Sequence, residues 1–377
     1  MDFLANFPAT VLAYGGNVAA LLVALTIIVF IHEYGHFKVA RLFKMKVDVF
    51  SIGFGREVWG WNDRFGTRWK IGWLPVGGFV KFTGDSNSAS QPDMTDPPKP
   101  DEFHGKPLWQ RALVVLAGPL ANFILAFFLF AGAYYILGDQ VPGTRIGTVV
   151  AGEPAAQAGL QTNDVVLRIN GDKVQSFSDI VMIVSESPGK SLAFDIDRSG
   201  QALTLTIVPR AEEQDREFYG KFTVGKIGAG VNMDPTNFHD VSLPRAAELS
   251  AGHIERIVVL TLQYVGRLVI GQDTVAQLGG VGTMAKLTGD AASSGIFPYI
   301  ATIGLLSVSI GLINLFPIPM LDGGHLVFYA IEAIRRKPLG PQAQEWSFRI
   351  GFVLVIFIML VGNMNDLMRA LFGNLAY

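Results

Sequence analysis

A chain of 377 residues in which 50% are hydrophobic and only 16% charged, with a mean hydropathy of +0.36, is too apolar for an ordinary soluble protein. A net charge of -2 with no long basic run and no zinc-finger spacing gives no sign of a nucleic-acid partner. There is no cysteine, so disulfides and thiolate ligands are excluded and any metal must be held by His and carboxylate groups.

Met1–Gly16 has no Lys or Arg to make the basic start of a signal peptide, and the apolar run from Val18 continues to about Phe43 without a cleavage site. It is expected to remain as the first transmembrane helix. Inside it lies IIVFIHEYGHFKVA, Ile27 to Ala40, which contains an H-E-x-x-H pattern. On a helix His32 and His36 fall one turn apart on one face and can share a metal ion, with Glu33 beside them to take a proton from an attacking water. That is the spacing of a zinc peptidase. The alternative is a polar patch packed between helices, but two imidazoles and a carboxylate are costly to bury in a membrane without a purpose.

After this span, Gly66 to Gly84, GTRWKIGWLPVGGFVKFTG, alternates apolar and other residues around a Pro-Gly turn and reads as a membrane-associated β-hairpin. A free strand edge there could pair with an extended peptide; the simpler reading is an amphipathic hairpin on the membrane surface. Asp85 to Pro100, rich in Ser, Pro and Asp, is expected to be mobile. A second span follows at about Trp109 to Leu137.

From Gly143 to about Arg210 the pattern is that of a soluble β-rich module, with turn signals at Asn170-Gly171 and Ser199-Gly200. The stretch EPAAQAGLQTNDVVLRINGDKV, with a helix over Ala155 to Ala158 and a strand over Val165 to Ile169, resembles a PDZ domain of the kind attached to bacterial proteases. GKFTVGKIGAGVNM suggests one or two further strands. Leu243 to Ile270 repeats apolar residues at helical spacing among Arg245, Glu248, Glu255, Arg256 and Arg267, which predicts an amphipathic helix on the membrane surface, with a fifth span as the alternative.

A third span is expected at about Ile296 to Phe316 and a fourth at about Phe348 to Gly362, short in its apolar core but extended by flanking residues, four in all. The third runs into NLFPIPMLDGGH, Asn314 to His325, where Pro317 and Pro319 must interrupt a helix and Gly323 and Gly324 allow close backbone approach. A kink there could bring Asp322 level with His32 and His36 as a third ligand. His325 is the rival ligand, and a turn-forming Asp before Gly-Gly the plainer reading.

Lys and Arg crowd into Phe37 to Arg111 and into the loop holding Arg335, Arg336, Lys337 and Arg349, whereas Met1 to Asn17 has none. The termini and the PDZ-like module are therefore expected outside the cytoplasm and the first and third loops inside. The expected organisation is residues 1–137 as an N-terminal membrane half, 138–212 as the PDZ-like domain, 213–295 as extra strands and an amphipathic helix, and 296–377 as a C-terminal membrane half.

HEYGH in a first membrane helix, GPLANF (Gly118 to Phe123) in the second, a PDZ-like insert and NLFPIPMLDGGH in the third together resemble the site-2 protease family of intramembrane zinc metalloproteases, closest to its bacterial sigma-E-regulating members. The resemblance implies zinc held by His32, His36 and Asp322, Glu33 as catalytic base, and Asn314 helping to hold substrate near the metal. It also implies single-span membrane proteins as substrates within the lipid bilayer of a bacterial inner membrane, an anti-sigma factor and remnant signal peptides among them. Close Gram-negative relatives often carry two tandem PDZ domains, and this chain has room for one. Two rival classes are a transporter, which would not require the H-E-x-x-H spacing, and an idle PDZ-bearing scaffold, which would not require an intact His32, Glu33, His36 and Asp322.

Overall fold

The computed structural model describes residues 2–85, 97–140, 144–174, 176–216, 220–231, 238–272, 275, 278–337 and 339–372. Helix α1 (Asp2–Leu42) is followed by strands β1 (Val47–Asn62) and β2 (Arg68–Phe82) and by helix α2 (Leu108–Leu137). Then come β3 (Asp139–Gln140), β4 (Ile146–Val149), α3 (Pro154–Gln157), β5 (Val165–Ile169), β6 (Asp172–Lys173), α4 (Phe177–Ser185), β7 (Leu192–Arg198) and β8 (Gln201–Ile207). Strands β9 (Arg210–Arg216), β10 (Gly220–Lys226), β11 (Ala229–Val231) and β12 (Phe238–His239) precede helices α5 (Leu243–Val269), α6 (Val281–Ser294), α7 (Ile296–Asn314), α8 (Asp322–Arg335) and α9 (Pro341–Phe372). The chain divides into two compact units, residues 1–133, 247–266 and 274–377 in one and residues 134–246 with 267–273 in the other.

In the first unit, four stretches among the described residues are long and apolar enough to cross a membrane: Gly15–Leu42, Leu108–Leu137, Ile296–Asn314 and Gln342–Leu371. The fourth helix extends well past the apolar core at Phe348 to Gly362, as expected from its flanking residues, and polar residues such as Gln342, Glu345 and Asn363 lie within it without breaking it. Helix α5, interrupted by charged residues, is not one of the four. The Ser250 hydroxyl on α5 donates to the Phe127 carbonyl of α2 at 2.8 Å, and His253 stacks on Phe130. Helix α6 has no counterpart in the sequence reading. Its small residues lie close against α1, where a Cβ on Gly289 would fall 1.8 Å from Asn17 Oδ1.

The hairpin differs from the one read in the sequence. Arg68–Phe82 is one strand rather than two, and its partner is Val47–Asn62. The turn between them is closed by Asp63, whose Oδ1 accepts from the amides of Phe65 (2.8 Å) and Thr67 (3.0 Å), while Gly66 takes φ +86°. The Pro75 to Gly78 stretch that looked like the turn is instead a bend. Each strand folds into two arms, so that Phe50 registers with both Trp69 and Val80. Gly53 and Gly55 at φ +83° and +87° and Gly77 at φ +103° make the bends, where a side chain would be strained. At the base of the hairpin, Asp85 accepts from the Phe82 amide and meets His104 Nε2 at 2.9 Å. The predicted mobile segment from Asp85 to Pro100 falls mostly on 86–96, outside the described residues.

In the second unit, a sheet of order β6-β5-β7-β8 packs with α4 around Ile146, Val166, Ile180, Phe194, Ile196 and Ile207, all buried. Asn170-Gly171 and Ser199-Gly200 both have two successive positive φ values, the backbone that tight hairpin turns need. Strand β11 pairs back with β4, and β9 with β10.

One buried charge is firmly held here. Asp164 accepts from Arg198 Nε at 2.8 Å and Nη2 at 2.7 Å and from the Gln161 amide at 2.8 Å. Burial pushes its pKa up, but the Arg198 hydrogen bonds and charge and the Gln161 amide outweigh that and hold it below the usual carboxylate range. A lowered folded-state pKa contributes stability that is present above the unfolded value of about 3.9 and lost as pH falls through the folded one. Asp164→Asn is expected to destabilise this unit by on the order of 2 kcal/mol at neutral pH, with the difference from wild type shrinking below about pH 4. Thermal unfolding of both proteins across pH 3 to 7 measures this, and a difference independent of pH would refute it.

Candidate metal centre

His32, Glu33 and His36 lie in the second half of the apolar stretch of α1, with both histidines buried. One turn apart, they bring their Nε2 atoms within 3.2 Å of each other. Asp322 joins them, its Oδ2 3.1 Å from His32 Nε2 and its Oδ1 3.5 Å from His36 Nε2. Zinc at about 2.0–2.2 Å from tetrahedral N and O ligands sets neighbouring donor atoms about 3.3 Å apart, so these separations suit such an ion.

Asp322 arrives by a route that a continuous kinked helix does not describe. Helix α7 stops at Asn314, Pro317 and Pro319 have no amide hydrogen to continue it, Met320 turns at φ +89°, and Asp322 opens the new helix α8. The reversal is tight. A Cβ on Gly323 would lie 2.2 Å from the Phe316 carbonyl oxygen, and one on Gly324 2.4 Å from that of Ile318. Farther along α8, Glu332 accepts from Arg111 of α2 at 2.5 Å, beside Tyr329.

Helix α2 forms the back wall of the site. Gly35 on α1 faces it so closely that a Cβ there would meet the Ala117 carbonyl oxygen at 2.4 Å, and a Cβ on Gly118 would meet His36 Nε2 at 2.2 Å and His32 Nε2 at 2.9 Å. The two helices touch through glycine, which leaves room for the imidazoles. His36 Nδ1 donates to the Val114 carbonyl at 2.8 Å; because a carbonyl can only accept, this fixes the tautomer and leaves Nε2 with a lone pair for a metal.

A cavity of about 470 Å³ opens onto these groups, lined among others by Glu33, Gly77–Val80 of β2, Asn314, Asp322 and His325. Asn314 is the last residue of α7. His325 lies one turn beyond Asp322 with its ring against Phe348, and among the described residues the group whose donor atoms converge is His32, His36 and Asp322 without it. The residues missed in the sequence are Gly35, Gly118 and Asn122. Gly118 and Asn122 belong to the GPLANF stretch and Gly35 to HEYGH, both of which carry the family resemblance, but neither assigns a role to any of the three.

Apolar spanning helices that enclose an H-E-x-x-H helix and a third acidic donor define a membrane metallopeptidase. The profile of peptidase family M50 matches residues 20–358, and the chain belongs to that family, the site-2 proteases. It is 40% identical over 365 residues to a protein of Rhizobium meliloti named as a zinc metalloprotease, covering 95% of this chain and 97% of that one. It is 39% identical to one so named in Agrobacterium fabrum, covering 93% and 96%. Its identity to the metalloprotease MmpA of Caulobacter vibrioides is 38%, covering 93% and 95%. The protein is a zinc metalloprotease of the membrane, which sets aside the transporter and scaffold readings.

Proposed function

We propose that His32, His36 and Asp322 hold the zinc, that Glu33 is the catalytic base, and that the enzyme hydrolyses peptide bonds in or near the transmembrane segments of single-span membrane proteins. The convergence at tetrahedral spacing of two donors from a membrane helix and one from the start of α8 supports this most directly. Zinc bound there supplies Lewis acidity, polarising the scissile carbonyl and making water nucleophilic near neutral pH. Glu33 removes the proton of the attacking water and delivers it to the leaving amine, so that one water is consumed and a carboxylate and an amine are released. Asn314, at the cavity wall, holds the substrate through its amide.

A helical substrate keeps its carbonyls in internal hydrogen bonds and must unwind before attack. Residues 78–82 of β2 pair on one side with Val47–Ile52, and their other edge has no strand partner among the described residues. With Gly77–Val80 lining the cavity, that edge is placed to pair with the unwound segment. The β-rich second unit is read as a PDZ-like domain outside the cytoplasm, and the chain as residing in a bacterial inner membrane with the site in the cytoplasmic half. An anti-sigma factor undergoing regulated intramembrane proteolysis, and remnant signal peptides, are the substrates this reading favours. In the test, purified enzyme in detergent is incubated with a model single-span substrate, with and without a zinc chelator, and the cut is mapped by mass spectrometry. Chelator-sensitive cleavage in the cytoplasmic half of the span is expected, and cleavage unaffected by zinc removal would sink the proposal.

A further inference from the structure

Asn122 is completely buried on α2, in the face that carries Val114 and Gly118. Its Nδ2 lies 3.4 Å from His32 Nδ1, while its Oδ1 is buried without any hydrogen-bond partner. Both facts have one remedy. If His32 offers the Nε2 lone pair to zinc, its proton sits on Nδ1, where an N–H needs an acceptor and an amide NH₂ cannot serve. Nitrogen and oxygen of an amide side chain are interchangeable by a half-turn, and the half-turn that places Oδ1 against Nδ1 gives the orphan oxygen a donor and the imidazole an acceptor.

We infer that Asn122 is the positioning residue of His32: its Oδ1 accepts from His32 Nδ1–H and so fixes the tautomer and ring orientation that present Nε2 to the metal. This rests on the assignment of His32 as a zinc ligand. Helix α2 then serves both histidines, with the Val114 carbonyl on His36 and the Asn122 amide on His32, two turns apart, and Gly118 between them clearing the space where the two Nε2 atoms meet. Asn122 is itself held from behind, because Ser307 of α7 donates its hydroxyl to the Asn122 backbone carbonyl at 2.8 Å, and α7 packs close at Gly311, where an added Cβ would lie 3.2 Å from the Asn122 Cβ.

The test measures zinc affinity by chelator competition on the purified full-length protein, apart from any activity assay. Asn122→Ala is expected to weaken zinc binding by about ten- to a hundredfold with the thermal unfolding of the apoprotein little changed. Asn122→Asp, which keeps an acceptor at the same place, is expected to bind zinc at least as tightly as wild type and stands as the decisive variant if the alanine protein does not fold. Wild-type affinity in Asn122→Ala, or an Asn122→Asp protein as weak as the alanine one, overturns the inference. His32→Ala is the control. Loss of zinc in it alongside an unaffected Asn122→Ala condemns this inference only, whereas full zinc binding by His32→Ala overturns the ligand assignment and this inference together.

Discussion

Glu33→Gln is expected to leave zinc bound and to lower peptide cleavage by about 10²- to 10⁴-fold. The amide keeps the size of the carboxylate and so its place in the cavity that Glu33 lines together with Gly78. It cannot accept the proton of the attacking water. None of the three converging donors is altered, so zinc content and fold should match the wild type. Zinc by elemental mass spectrometry and turnover on a single-span substrate are the two readouts. Purified Glu33→Gln with more than a few per cent of native turnover would show that the base lies elsewhere.

Gly118→Ala should remove the metal while leaving the chemistry of every ligand intact. The added methyl carbon would sit 2.2 Å from His36 Nε2 and 2.9 Å from His32 Nε2, which are the two atoms proposed to bind zinc. Neither ring can yield freely, because His36 Nδ1 is anchored on the Val114 carbonyl of the same helix. A loss of zinc affinity of at least about a hundredfold is expected, consistent with the sensitivity of metal sites to their outer contacts. Gly132→Ala on the same helix, where a Cβ would meet nothing within 4 Å, is the matched control and should bind zinc normally. Stoichiometric zinc in purified Gly118→Ala would refute the geometry.

Gly35 and Gly118 mark the limit of what is legible in the sequence. The histidine pair was legible because helical periodicity converts a spacing of four residues directly into a shared face, and the four spans because hydrophobic length is local. The contribution of α2 was not, since glycines and an asparagine in an apolar helix acquire meaning only through the partner they touch. Gly35 and Gly118 sit on different helices, and no pattern within either stretch pairs them. The hairpin was displaced for a related reason. Pro75 and Gly77 mark a bend as well as they mark a turn, and the partner strand at Val47–Asn62 has glycines that blur its alternation. Helix α6, built largely of small residues, has too weak an apolar face to announce itself.

The early end of α7 has a consequence for how the enzyme fits the bilayer. Its 19 residues reach only about 28 Å, whereas the 28 residues of the apolar stretch of α1 reach about 42 Å. The hydrocarbon core of a bilayer is about 30 Å thick, and a longer apolar stretch is accommodated by tilting or kinking. Helix α7 therefore has no apolar length to spare, and the break after Asn314 comes where its own span of hydrocarbon is used up. The longer stretch of α1, by contrast, must tilt or reach beyond the hydrocarbon if both helices cross the same bilayer.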